Sequence, residues 1–259
     1  MNIIVCVKSV RSEFVGSEIT IDNNYLMNPY DLFALQSAID LKLQIDCNVT
    51  CVSMGASVIK DSLVKCYALG ADNVVWLKDS VFAGSDTVAT SFILYKAIKE
   101  ISKYDLIVCG GVAVDGETGQ VPAGLAQRLN IRYVPGVKEI IEVTKDSVLL
   151  KTSCEKYDNI LKVKLPAIIS FSEFTTTTKN FSLITLKRAQ KKDINIYTSS
   201  DLGIDESMCG IKGSKTKVLD MESNFNKKDG ERIIGNSSEA AKLIKKLVIG
   251  KSGVKNYDE

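Results

Sequence analysis

Short, continuously apolar runs rich in β-branched side chains recur through the first half of the chain, at residues 3–7, 48–54, 73–77 and 105–109. A run with no polar alternation suits a strand buried on both faces, as in a parallel sheet. Between these runs the apolar positions switch to helical spacing, which predicts helices over 31–43, 57–69, 86–101 and 119–129. Asn28 or Asp31 is placed to cap the first helix and Asp86 the third, while Gly70 marks the stop of the second. Alternating strands and helices imply βαβ units with right-handed crossovers, so the loops that follow the strands gather on one rim. Ligands of open α/β sheets bind at that rim.

The pattern changes after Pro135. Residues 137–143, 147–151 and 160–164 read as antiparallel strands, and 166–171 as one more buried strand. Thr175–Thr178 reads as an exposed polar loop and 183–192 as a short basic helix. Residues 201–225 have weak periodicity and are expected to be extended. Residues 237–248 form an amphipathic helix with Ala240, Leu243, Ile244 and Leu247 on one face, and the last residues, from 251 on, are expected to fray. The expected organisation is an α/β domain over 1–205 followed by a C-terminal arm and helix over 206–259.

Composition removes several kinds of chemistry. The 259 residues include no histidine, which takes away the commonest general base, the Ser-His and Cys-His nucleophile pairs and most zinc sites. The seven cysteines are scattered, with no C-x-x-C pair, and read as reduced thiols without a metal or iron–sulfur cluster. Cys6, Cys51 and Cys109 sit inside apolar runs and are expected in the core. A net charge of +2 lacks the basic excess of a nucleic-acid binder. The first residues read as a strand and not a secretory signal, and no run has the length of a membrane span, so a cytoplasmic protein is expected.

Candidate chemistry lies at the strand-to-helix connections. In Cys109-Gly110-Gly111-Val112-Ala113-Val114-Asp115-Gly116-Glu117-Thr118-Gly119-Gln120-Val121-Pro122-Ala123, a buried strand enters a Gly-rich turn and then a helix. Free N–H groups at a helix start attract phosphate, Gly119 permits close approach, and Thr118 and Gln120 supply donors. The stretch lacks the Lys-Ser/Thr of a P-loop and does not match G-x-G-x-x-G. On this pattern alone, an ordinary strand–loop–helix connection is an equal reading. Met27-Asn28-Pro29-Tyr30-Asp31 reads first as a helix cap, and Val52-Ser53-Met54-Gly55 as a strand end. Asp86, Thr87 and Thr90 cluster on the first turns of a helix, where they either hold a second phosphate or cap it.

Taken in order, these segments resemble the β subunit of electron transfer flavoprotein. Cys6-Val7-Lys8, Met27 to Tyr30, Val52 to Gly55, Ala68-Leu69-Gly70-Ala71-Asp72 and Asp115 to Ala123 carry the resemblance. So do Lys162 to Ala167, Ala189 to Lys192 and Asp201-Leu202-Gly203-Ile204-Asp205. The resemblance implies a parallel-sheet, Rossmann-like domain of the adenine nucleotide alpha hydrolase type, with an antiparallel extension and a C-terminal arm that packs on a larger α subunit. It implies an electron carrier without catalytic residues of its own. The α subunit would hold one FAD. Cys6, Asn28 to Asp31, Met54 and Asp115 to Ala123 would surround a nucleotide in this subunit, and Tyr30 would approach the α-subunit flavin.

That nucleotide is AMP in simple carriers and a second FAD, reduced by NADH, in electron-bifurcating members. Phe82 to Thr90 and Asp115 to Thr118 look like the bifurcating type, whereas Gly119, Gly111-Val112 and Pro122-Ala123 depart from it. The implied partners are an acyl-CoA or related dehydrogenase and, with bifurcation, ferredoxin or flavodoxin. For docking, Thr175 stands where the family has an apolar anchor, and Phe174 or Phe181 is the expected substitute.

Overall fold

The computed structural model describes residues 1–11, 25–101, 103–154, 157–172, 179–217 and 236–251. The chain divides into two compact units, Met1–Lys217 and Val218–Glu259. In the first, β1 (Asn2–Cys6), β4 (Asn48–Met54), β5 (Asn73–Leu77), β6 (Leu106–Gly110) and β10 (Ala167–Phe171) are the parallel strands predicted from the apolar runs. Two short strands that periodicity misses, β2 (Ser9–Arg11) and β3 (Tyr25–Met27), pair antiparallel in a separate sheet. Another, β11 (Asn195–Tyr197), extends the main sheet beside β5. Three residues are too few to show a period, so only pairing reveals them.

Continuous apolarity is what a sheet covered on both faces requires. Ile3, Val5, Cys51, Val74 and Val108 face one cluster, with Phe33, Leu35 and Leu63 from the helices α1 (Pro29–Leu41) and α2 (Lys60–Leu69). Ile4, Cys6, Val52, Val75 and Cys109 face the other, with Ile93, Ile98 and Leu125 from α3 (Thr87–Ile101) and α4 (Gln120–Leu129). Alternate residues of each strand therefore serve opposite layers. Cys6, Cys51 and Cys109 are buried thiols, as expected of core residues.

The main sheet has the order β11-β5-β4-β1-β6-β10-β7-β8-β9. Strand β7 (Arg132–Val143) begins earlier than predicted. Its first half pairs parallel with β10, and its second half pairs antiparallel with β8 (Ser147–Cys154), which pairs in turn with β9 (Tyr157–Lys164). Pro135 cannot donate a ladder hydrogen bond, and it lies where the register with β10 shifts, between Val134↔Ile169 and Val137↔Phe171.

The expectation of an extended segment after Asp201 fails over its described part. Asp205 caps a turn at Glu206–Met208, the short helix α6 (Gly210–Gly213) follows, and Cys209 is buried. Residues 218–225 lie outside the described residues. The basic helix is shorter than predicted, α5 (Leu183–Ala189), and in the second unit α7 spans Ser237–Lys251. Among the described residues no helix is long and apolar enough to cross a membrane, and no three acidic or cysteine side chains form a metal site.

Candidate functional site

Strands β5, β4 and β1 follow one another outward in one direction, and β6 lies on the opposite side of β1. The connections after β1 and β6 therefore diverge to opposite faces and leave a crevice at their carboxyl ends. A cavity of about 310 Å³ occupies that crevice. Its floor is apolar, with Cys6 and Val52 from the sheet, Leu94 from α3 and Val121 and Pro122 from α4. Its rim is polar, with Lys8, Thr87, Thr90, Thr118 and Gln120. An apolar slot beside a polar rim suits a planar base joined to a charged group.

Asp31 and Asn28 build the wall between β1 and β6. The Asp31 carboxylate is buried and accepts from Lys8 N at 2.8 Å and Gly110 N at 3.0 Å, so it ties the two strand ends together. Burial pushes its pKa up to about 7, against the lowering effect of the bonds from Lys8, Asn28 and Gly110. Neither residue caps α1 with its side chain as the sequence suggests. Asn28 Nδ2 donates to Val112 O at 2.9 Å and Asn28 Oδ1 accepts from Val114 N at 3.2 Å, which holds the glycine-rich loop. A Cβ on Gly110 would collide with Asp31 Oδ1, so this strand end needs glycine for α1 to sit against it.

Two helix starts border the cavity. Gly119 caps α4 at φ +61 with no side-chain cap, so the first N–H groups of α4 keep their donor capacity beside Thr118 and Gln120. A Cβ on Gly119 would come within 3.1 Å of Gly111 O. Gln120 is on the exposed rim, its Nε2 donating to Thr118 O at 3.2 Å. At the other helix, Asp86 Oδ1 accepts from Val88 N and Ala89 N at 3.0 and 2.9 Å, which is an N-cap. Its Oδ2 accepts from Lys215 N and Thr216 N at 2.6 and 3.0 Å. Burial works to raise the Asp86 pKa, but the bonds from Ala89, Thr216 and Lys215 outweigh it and hold the group below its ordinary value.

Of the residues predicted to surround a nucleotide, the cavity gathers all but Pro29, Tyr30, Asp115 and Ala123. Asp115 is turned to Lys8 instead, with Nζ 2.7 Å from Oδ1. Lys8, Val52, Ser85, Cys109 and Gly110 lie in the stretches singled out from sequence but are not assigned to the ligand there, and Leu94 is not singled out at all. Lys8, Cys109 and Gly110 end or follow a predicted strand and were findable by that rule, whereas Val52 and Leu94 look like any other core residue.

A profile of the electron transfer flavoprotein domain matches residues 18–202. The chain belongs to the electron transfer flavoprotein family. It is 33% identical over 254 residues to the electron transfer flavoprotein subunit beta of Clostridium acetobutylicum, covering 94% of this chain and 96% of that one. It is 31% identical to CarD of the caffeyl-CoA reductase-Etf complex of Acetobacterium woodii, covering 95% and 98%. It is 37% identical over 199 residues to protein FixA of Azotobacter vinelandii, covering 74% and 71%. The likeness to the subunit beta relatives runs through nearly the whole chain, and the α/β fold with its parallel sheet agrees with the family.

Of the docking residues expected for this family, Phe174 and Thr175 lie outside the described residues. Phe181 is half-buried and packs against the core cluster under α1 and α2. Leu183 and Ile184, on the first turn of α5, are 78% and 66% exposed.

Proposed function

We propose that this electron transfer flavoprotein chain is the β subunit of a heterodimer whose α subunit carries one FAD, and that its cavity holds a second FAD. The observation that carries this reading is the meeting of two helix starts on one cavity at the switch point. The α4 start, headed by Gly119, is uncapped and suits one phosphate, and the hydroxyls of Thr87 and Thr90 on α3 suit a second polar group. The apolar floor suits adenine. Bound there, the flavin supplies acceptance of two electrons from NADH and their onward release. The chain's own contribution is to bind, orient and exclude water, which is consistent with a sequence lacking histidine.

The acceptors would be the α-subunit flavin and ferredoxin or flavodoxin. CarD, the relative from a caffeyl-CoA reductase-Etf complex, favours a CoA-thioester dehydrogenase or reductase among the partners. For that contact Leu183 and Ile184 are better anchors than Phe181, which the core already engages. A second reading has AMP in the cavity and no bifurcation. Its support is the volume of about 310 Å³, at the low end for small-molecule sites.

The test is the nucleotide content of the αβ complex purified from its native expression. Two FAD per heterodimer is the expected result, and one FAD with one AMP establishes the second reading. A complex without FAD or AMP in this subunit refutes both. Thr118→Val combined with Gln120→Leu should lower β-site occupancy at least severalfold, because two rim donors are lost. Full occupancy in that variant, measured by chromatography after acid release, would show that this loop does not hold the phosphate.

A further inference from the structure

The cavity is short of positive charge. Asp31, Asp86 and Glu117 all line it, and Lys8 is the single cation among the described lining residues. The Lys8 ammonium is engaged by Asp115, which does not line the cavity, at 2.7 Å from its Oδ1, with side chains 50% and 26% exposed. Its main chain is fixed, since Lys8 N donates to Asp31 Oδ2 at 2.8 Å and Lys8 O accepts from Asn28 N at 2.8 Å. Only the flexible side chain is left to move. The loop that carries Asp115 does not depend on the pair for its shape, because Asn28 already holds Val112 O and Val114 N.

From this we infer that Lys8 is the phosphate-neutralising residue of the site and that Asp115 competes for it, so that a nucleotide phosphate must draw the ammonium away from the loop. The inference rests on the reading of the cavity as a nucleotide site. The exchange is favourable in sign. A half-exposed ion pair is weakened by solvent, whereas a lysine bonded to phosphate oxygens beside a partly apolar floor makes charge-assisted hydrogen bonds. Asp115 then acts as a brake on binding, although it belongs to the loop that sequence alone assigns to the ligand.

The experiment is calorimetric titration of the αβ complex, its β site emptied of nucleotide, with AMP and separately with adenosine. Lys8→Met should weaken AMP about tenfold or more, the loss expected for a hydrogen bond to a charged group. Asp115→Asn should tighten AMP by roughly threefold or more, since one competing charge is removed. Lys8→Met with Asp115→Asn should match Lys8→Met alone, Lys8→Arg should restore most of the affinity, and adenosine should respond to none of these changes. Weaker AMP binding in Asp115→Asn, or equal losses for adenosine and AMP in Lys8→Met, would overturn the inference while leaving a nucleotide site. A wild-type complex that takes up neither AMP nor adenosine nor FAD would refute the nucleotide reading itself.

Discussion

Asp31 shows how one side chain can set the geometry of a site without reaching beyond its wall. Its two oxygens bind the backbone at the ends of β1 and β6, the two strands whose divergence opens the crevice. The carboxyl is buried, with Lys8 and Cys109 as charged or titratable neighbours, and desolvation lifts its pKa from 3.8 to about 7. An acid whose pKa is higher in the folded state binds protons more readily there. Between these two values the folded chain holds the extra proton, so this group's contribution to stability falls as pH rises through the window and is flat above it. Urea melts at pH 5 and pH 8 should show that decline, and Asp31→Asn should lack it. An unchanged pH dependence in the variant would assign the decline to other groups.

At the scale of elements, the starts of α3 and α4 differ in what finishes them. The α4 start has a glycine and no side-chain cap. The α3 start is capped by Asp86, whose second oxygen fastens the chain at Lys215 and Thr216, while Asp86 N donates to Ser214 Oγ at 2.8 Å. A chain segment with no periodicity of its own is thereby ordered against the α3 start, by hydrogen bonds that no local pattern announces. Asp86→Ala should cost about 1–2 kcal/mol through the lost cap. It should also release residues 214–217, so that limited trypsin cleavage at Lys215 or Lys217 becomes faster. Wild-type cleavage kinetics in a destabilised variant would mean that the segment is held by the Ser85 and Gly84 contacts, Gly210 N to Ser85 Oγ and Ser214 Oγ to Gly84 O, without Asp86.

At the scale of the molecule, the main sheet, nine-stranded over the described residues, sets the cavity on its carboxyl rim and leaves α5 with an exposed apolar start. Leu183→Ala with Ile184→Ala should slow electron transfer with the dehydrogenase partner by roughly tenfold while flavin content stays constant, because apolar anchors dominate transient interfaces. Stopped-flow reduction with the partner reads this directly, and an unchanged rate would exclude α5 as the docking element. The sequence by itself determined the doubly covered parallel sheet, because strands apolar at consecutive positions are stable only between two helical layers. It also determined that the loops after those strands, with their glycines and hydroxyls, share one rim. Tertiary structure alone decided what those residues do there. Asn28 and Asp31 read as helix caps, yet they bind a loop and two strand ends far away in sequence. Asp115 lies in the loop that the resemblance assigns to a ligand, and its carboxylate pairs with Lys8 from the end of β1. Pro135 reads as a boundary, yet it lies within one strand shared between parallel and antiparallel pairing. Periodicity records which side of an element is buried, whereas a long-range hydrogen bond depends on which chain ends the topology brings within 3 Å, about the length of one such bond.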